Sequence, residues 1–172
     1  MTILAQQFRE QIIAPVLTRA GLWSQSAENL VLGTAAHESG NFRFIRQHPK
    51  GPALSFYQIE PATAADICRR FLADRPTLAT TVAKACWPHL AQPPMFKGLG
   101  QVDINRLLIE DWAFATLLCR LKYYMAKPPL PEPDDIPGMA SYWGRHYQTD
   151  DNPVKNAQWA QSYSLTVKEK RK

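Results

Sequence analysis

The chain has 172 residues, 45% of them hydrophobic, five Trp and a formal net charge of +5. That length and apolar content fit one domain with a sizeable core and exclude a disordered polymer. Lys168, Lys170, Arg171 and Lys172 sit beside a single Glu169 at the end of the chain. The body is therefore only mildly basic, which suits an anionic polymer and falls short of what nucleic-acid binding requires.

From residue 3 to residue 20, Leu4, Phe8, Ile12, Val16 and Ala20 recur four apart with Ile13 and Leu17 beside them. This predicts an amphipathic helix, bent at Pro15 and ended by Gly21. Ser24 or Ser26 can cap a second helix from Ala27 to His37, with Glu28 in its first turn, where the helix dipole favours an anion. On that helix Leu30, Val31, Thr34, Ala35 and Glu38 share one face. A carboxylate thus continues an otherwise small or apolar stripe, and Ser39-Gly40-Asn41 stops the helix. An inward Glu38 would be desolvated, its pKa would rise, and it would be suited to general acid work.

Asn41 to Phe56 reads as a loop or a short irregular β-hairpin carrying Arg43, Arg46, His48 and Lys50. His37-Glu38 is not followed by the second His that a zinc helix needs, because Asn41 stands four beyond His37. No metal or cofactor is expected. Pro61 is placed to begin a helix with Ile67, Cys68, Phe71 and Leu72 inward. Another helix starts at Pro76, with Leu78, Val82, Ala85 and Cys86 inward, and stops at Pro88. Gln92 to Gln101 is a connecting loop. The longest pattern, Ile104 to Ala126, aligns Leu108, Trp112, Ala115, Cys119 and Lys122, with Asp103 as N-cap. Its broad apolar circumference predicts the central core helix.

Pro128 to Pro137, with five prolines, reads as a stiff linker, and helices resume over Met139 to Tyr147 and Pro153 to Tyr163. A disordered basic tail is expected over 168–172 behind a single domain, 1–167. The total is six or seven helices: a mainly α fold with at most a small β-hairpin. Cys68, Cys86 and Cys119 are odd in number, widely spaced and apolar in context, so buried free thiols are expected. The N-terminus lacks a basic region followed by an apolar run, and no segment approaches the ~20 apolar residues of a membrane span. Synthesis in the bacterial cytoplasm without a signal peptide, and no membrane insertion, are the expectations.

Three motifs in order resemble the lysozyme-like superfamily, in its soluble lytic transglycosylase and goose-type lysozyme branch. Glu38-Ser39 matches the helix-ending Glu-Ser pair. Ser55-Phe56-Tyr57-Gln58-Ile59-Glu60-Pro61-Ala62-Thr63 matches a Gly-Leu-Met-Gln-Ile-x-Pro-x-Thr segment at Gln, Ile, Pro and Thr. Ala140-Ser141-Tyr142-Trp143 is similar to an Ala-Tyr-Asn motif. Ser55 replaces the usual Gly, Ser141 is inserted, and Trp143 replaces Asn. The pattern Tyr142-Trp143-x-x-x-Tyr147 looks like that of phage-encoded relatives. The resemblance spans about Ala27 to Tyr147.

It implies a helical, lysozyme-like domain with a cleft, acting on peptidoglycan glycan strands. Glu38 would be the catalytic acid, with Ser39, Tyr57, Gln58, Tyr142 and Trp143 toward the substrate. A lytic transglycosylase, in which the muramic 6-hydroxyl attacks its own C1, needs no second carboxylate. A lysozyme-type hydrolase commonly does, and Glu60 and Asp66 are the candidates. A wall-binding or virion structural module that has lost activity is a third reading. It would act among other phage structural proteins, and in each case the chain would need delivery to the wall.

Overall fold

The computed structural model describes residues 5–168, and over them the chain forms eight helices and no sheet. Helix α1, residues 5–19, runs through Ala5–Phe8, a π-turn at Arg9–Ile13 and Ala14–Arg19. The π-turn lies just ahead of Pro15, and the N–H of Ala14 reaches back to the carbonyl of Arg9. A proline cannot bond one turn back and its ring crowds that carbonyl, so the helix widens there instead of breaking. Gly21, at φ +64°, ends it. Leu4 of the expected stripe lies outside the described residues; Phe8, Ile13, Val16, Leu17 and Ala20 are buried.

Helix α2 is Gln25–Glu38, capped by Ser24, whose Oγ accepts from the N–H of Ala27 at 3.1 Å. Helix α3 spans residues 61–71, as Pro61–Asp66 and a π-turn Ile67–Phe71, and α4 is Pro76–Cys86, each with Pro at its start. The expected long helix from Ile104 to Ala126 is two helices, α5 at Gln101–Glu110 and α6 at Trp112–Tyr124. Asp111 separates them in an extended conformation. Its Oδ1 caps α6 by accepting from Phe114 N–H at 2.9 Å, and its Oδ2 accepts from Trp87 Nε1 at 2.8 Å. Those two bonds hold the break open. Asp103 is likewise not the N-cap of α5: it sits one turn in, and its carboxylate accepts from the N–H of Gly100.

Helix α7, residues 136–148, comprises Ile136–Trp143 and a π-turn Gly144–Gln148, and α8 is Pro153–Lys168. Asp135 caps α7, and Pro137 lies inside its first turn, so the proline-rich connection ends earlier than expected. Apart from Lys168, which closes α8, the expected basic tail lies outside the described residues. Helix α6 packs against α1, α2, α4, α5 and α7, and every residue from Phe114 to Leu121 is buried. It is the core helix the pattern called for. Gly33 leaves room on α2 for the Trp159 ring of α8, since a Cβ there would lie 2.2 Å from the indole. Only isolated bridges, Arg46 with Leu54 and Leu54 with Ile59, stand where a hairpin was possible. Cys68, Cys86 and Cys119 are free and buried. Among the described residues no helix is long and apolar enough to cross a membrane.

Candidate active site

Glu38 is the last residue of α2, and the turn that follows it is tightly wound. Gly40, Asn41 and Phe42 all have φ near +60°, a left-handed run that costs a residue such as Phe. Packing and capping hold it. Phe42 sits edge-on to Phe8 and Phe56 at 5.3 and 5.5 Å. Ser39 Oγ donates to the Ala35 carbonyl and accepts from Phe42 N–H, each at 2.6 Å. Ser39 is fully buried, so it fastens the end of the acid's helix and does not face a sugar.

The Glu38 carboxyl is half-buried. Its Oε1 accepts from Trp143 Nε1 at 3.0 Å and from Gln148 Nε2 at 2.7 Å. Burial raises its pKa above the ordinary carboxylate value, and the two bonds and the nearby Lys122 ammonium pull the other way by a smaller amount. Both bonds fall on Oε1, which leaves Oε2 as the oxygen to carry a proton. Trp143 is buried, and the edge of its ring meets His37 at 4.8 Å. It is hydrogen-bonded to the Glu38 carboxyl and does not line the cleft beside it.

The carboxyl opens into a cleft of about 290 Å³. Gln58 and Glu60 line it from the loop before α3, Gln148 from the end of α7, and Phe44, Gln47 and His48 from the segment after α2. The cleft loop is wound like the turn after Glu38, with Ser55 at φ +69° and Gln58 at φ +46°. The Gln58 amide donates to the Ser55 carbonyl at 2.8 Å, so it braces this loop while presenting its side chain to the cleft. Tyr57, two residues after Ser55, points the opposite way. Its ring is buried, its hydroxyl shares a 2.9 Å bond with Thr116, and its carbonyl accepts from Tyr147 Oη at 2.6 Å.

Tyr142 is also buried, donating to the Pro128 carbonyl at 2.9 Å and packing on Tyr123 and His146. Of the residues expected to touch substrate, only Gln58 lines the cleft with Glu38. Trp143 reaches the acid itself, while Ser39, Tyr57 and Tyr142 are turned into the core because each has its polar atom satisfied there. Of the two candidate second carboxylates, Glu60 lines the cleft. Asp66 is exposed on α3, paired with Arg70 at 3.3 Å.

Gln148 and Lys122 are site residues that the sequence pattern did not mark. Lys122, half-buried on α6, donates to the Tyr147 carbonyl at 2.7 Å and lies 3.8 Å from the centre of the Tyr147 ring. It fixes the backbone next to Gln148, and burial lowers its pKa against the raising effect of Glu38 and Glu60. A second cavity, about 240 Å³, shares no residue with this one and is mainly apolar, bounded by Leu72, Pro76, Ala83 and Phe96. The acid, its donors and the polar walls single out the cleft at Glu38. Among the described residues no group of His, Cys, Asp and Glu is placed to hold a metal ion. Compared with models of protein families, with curated proteins and with solved structures, the chain matches none.

Proposed function

We propose that the chain cleaves the β-1,4 bond between N-acetylmuramic acid and N-acetylglucosamine in peptidoglycan, as a lytic transglycosylase with Glu38 as its acid and base. One observation carries the reading: a half-buried carboxyl of raised pKa, fastened through a single oxygen, at the edge of a polar cleft. The ordered motifs supply the substrate class. Ser55 adds support, because it stands where the resembled pattern has Gly and adopts φ +69°, a conformation glycine takes freely. The mainly helical body with a cleft accords with the same resemblance.

In the first step Glu38 Oε2 gives its proton to the glycosidic oxygen as the C1–O bond breaks. Charge then builds at an oxocarbenium-like C1. The resulting carboxylate keeps the Trp143 and Gln148 donors, which favour the ionised form between steps. It next takes the proton of the muramic 6-hydroxyl while that oxygen bonds to C1, giving a 1,6-anhydro product and restoring the acid. No second carboxylate takes part.

Glu60 favours a second reading of the same site. Its place in the cleft would let it hold a water for hydrolysis, making the chain a lysozyme. Both readings need Glu38. Glu38→Gln keeps the shape and an acceptor for both donors but has no acidic proton. Its clearing of wall suspensions is expected to fall by about 10²–10⁴-fold. Clearing at the parent's rate removes Glu38 from the mechanism. Wall binding without cleavage by the parent would favour a structural module.

A further inference from the structure

Between Glu38 and Glu60 the chain holds Arg43, Arg46 and Lys50 and no Asp or Glu. All three cations are exposed, and among the described residues none takes part in an ion pair. The same segment carries Phe44 and His48, whose rings stack at 5.1 Å and 4° between planes. Both line the cleft, and Phe44 remains 39% exposed. The segment is pinned at its base, where Gln47 N–H donates to the Ala53 carbonyl at 3.0 Å and Ala53 N–H to Gln47 Oε1 at 3.2 Å. The flat aromatic pair thus borders one side of the cleft, the three cations alternate in sequence with the residues that line it without lining it themselves, and the proton-transfer steps use none of them.

We propose that this segment, with its cations flanking the cleft-lining residues, reads the carboxylates that peptidoglycan carries beside its sugars, with Phe44 and His48 as a platform for a pyranose ring. The proposal rests on the glycan-cleaving reading of the Glu38 cleft and specifies the substrate form it prefers. Muramic acid bears, through its lactyl ether, a peptide with free carboxylates, so negative charge hangs next to the bond that Glu38 would protonate. Three cations within one short segment attract such groups over roughly the 8–10 Å that salt leaves unscreened. Glu60 is the opposing charge in the cleft, and it lies past the far end of the basic segment. Uncharged or amidated glycan would gain the platform alone.

The test measures binding of the full chain carrying Glu38→Gln, in which turnover is slowed, to soluble glycan–peptide fragments. One set keeps its peptide carboxylates and a matched set has them converted to methylamides. Each exposed ion pair is worth roughly 1.4- to 5-fold in affinity, so the free-acid set should bind about tenfold more tightly, less so at high salt. Adding Arg43→Gln, Arg46→Gln and Lys50→Gln should erase that preference at unchanged thermal stability, while Phe44→Ala should weaken both sets alike. Equal binding of the two sets, or a preference surviving the triple change, overturns the proposal. So does competition by polyglutamate as strong as by the fragments, which would mean a general anion site. Failure of every fragment to bind also overturns it. Wall cleavage by the unmodified chain, run in parallel, shows whether the glycan reading fails with it.

Discussion

Arg9 and Glu28 form a buried pair that joins α1 to the start of α2, the helix whose other end is Glu38. Arg9 Nε donates to Glu28 Oε1, and Arg9 Nη2 to Asn29 Oδ1. Glu28 Oε2 accepts from Trp23 Nε1 at 2.6 Å, and Asn29 Nδ2 donates to the Pro133 carbonyl at 2.9 Å. Both charged side chains are about nine-tenths out of solvent, so solvent does not screen them as it would a surface pair. Glu28→Leu strands the guanidinium and leaves the Trp23 N–H without its acceptor, which should cost about 3–5 kcal/mol. Arg9→Met strands a carboxylate in the first turn of α2. The helix dipole recovers about 1 kcal/mol there, so the loss should be smaller by about that amount.

The double variant removes both charges and should lie within about 1–2 kcal/mol of the parent, well short of the sum of the single losses. Urea unfolding at neutral pH, with unchanged m values, measures all four species. Additive single losses, or single losses below about 0.5 kcal/mol, would refute the claim that the pair is buried and coupled.

Trp143→Phe removes one of the two donors to Glu38. Hydrogen bonds to the ionised form lower a carboxyl pKa, so losing one lets burial push it higher still. The fall of activity with rising pH, where the acid loses its proton, should then move to higher pH, and the rate should drop about tenfold from looser positioning; an unmoved pH profile would deny Trp143 that role. Gly33→Ala would gain about 1 kcal/mol in an open helix, but here its Cβ meets the Trp159 ring, which is stacked on Tyr163 at 5.6 Å. A net loss of about 1–3 kcal/mol is expected in thermal or urea unfolding. Burial pushes the Cys68 thiol up to about 12 and raises those of Cys86 and Cys119 as well. Labelling of the native protein at pH 8 should be slow and become complete on unfolding.

Helical spacing alone places Glu38 in line with the buried Leu30, Val31, Thr34 and Ala35, but it did not reveal that α2 is enclosed on all sides, since every residue from Ala27 to Ala36 is buried. The turn that stops the helix was legible from Ser39-Gly40-Asn41. What the pattern could not reveal are partners distant in the chain. The break at Asp111 depends on Trp87, 24 residues earlier, so periodicity ran through it. Gln148 lies in a π-turn ended by Thr149 at φ +60°, where helical spacing no longer places side chains, and its bond to Glu38 spans 110 positions. Short motifs alone place Tyr57 and Tyr142 toward substrate. The side chains instead follow their hydroxyls, which are bonded to Thr116 and Pro128 in the interior.

On the proposed mechanism Glu38 cleaves glycan by proton transfer with the muramic 6-hydroxyl as nucleophile. Mass analysis of the fragments released from purified peptidoglycan tests it most directly, with the parent and Glu38→Gln proteins side by side. The parent should release 1,6-anhydromuropeptides, each lighter by one water than its reducing-end counterpart, and Glu38→Gln essentially none. Fragments with free reducing ends only, or fragments released equally well without the Glu38 carboxyl, would contradict that mechanism.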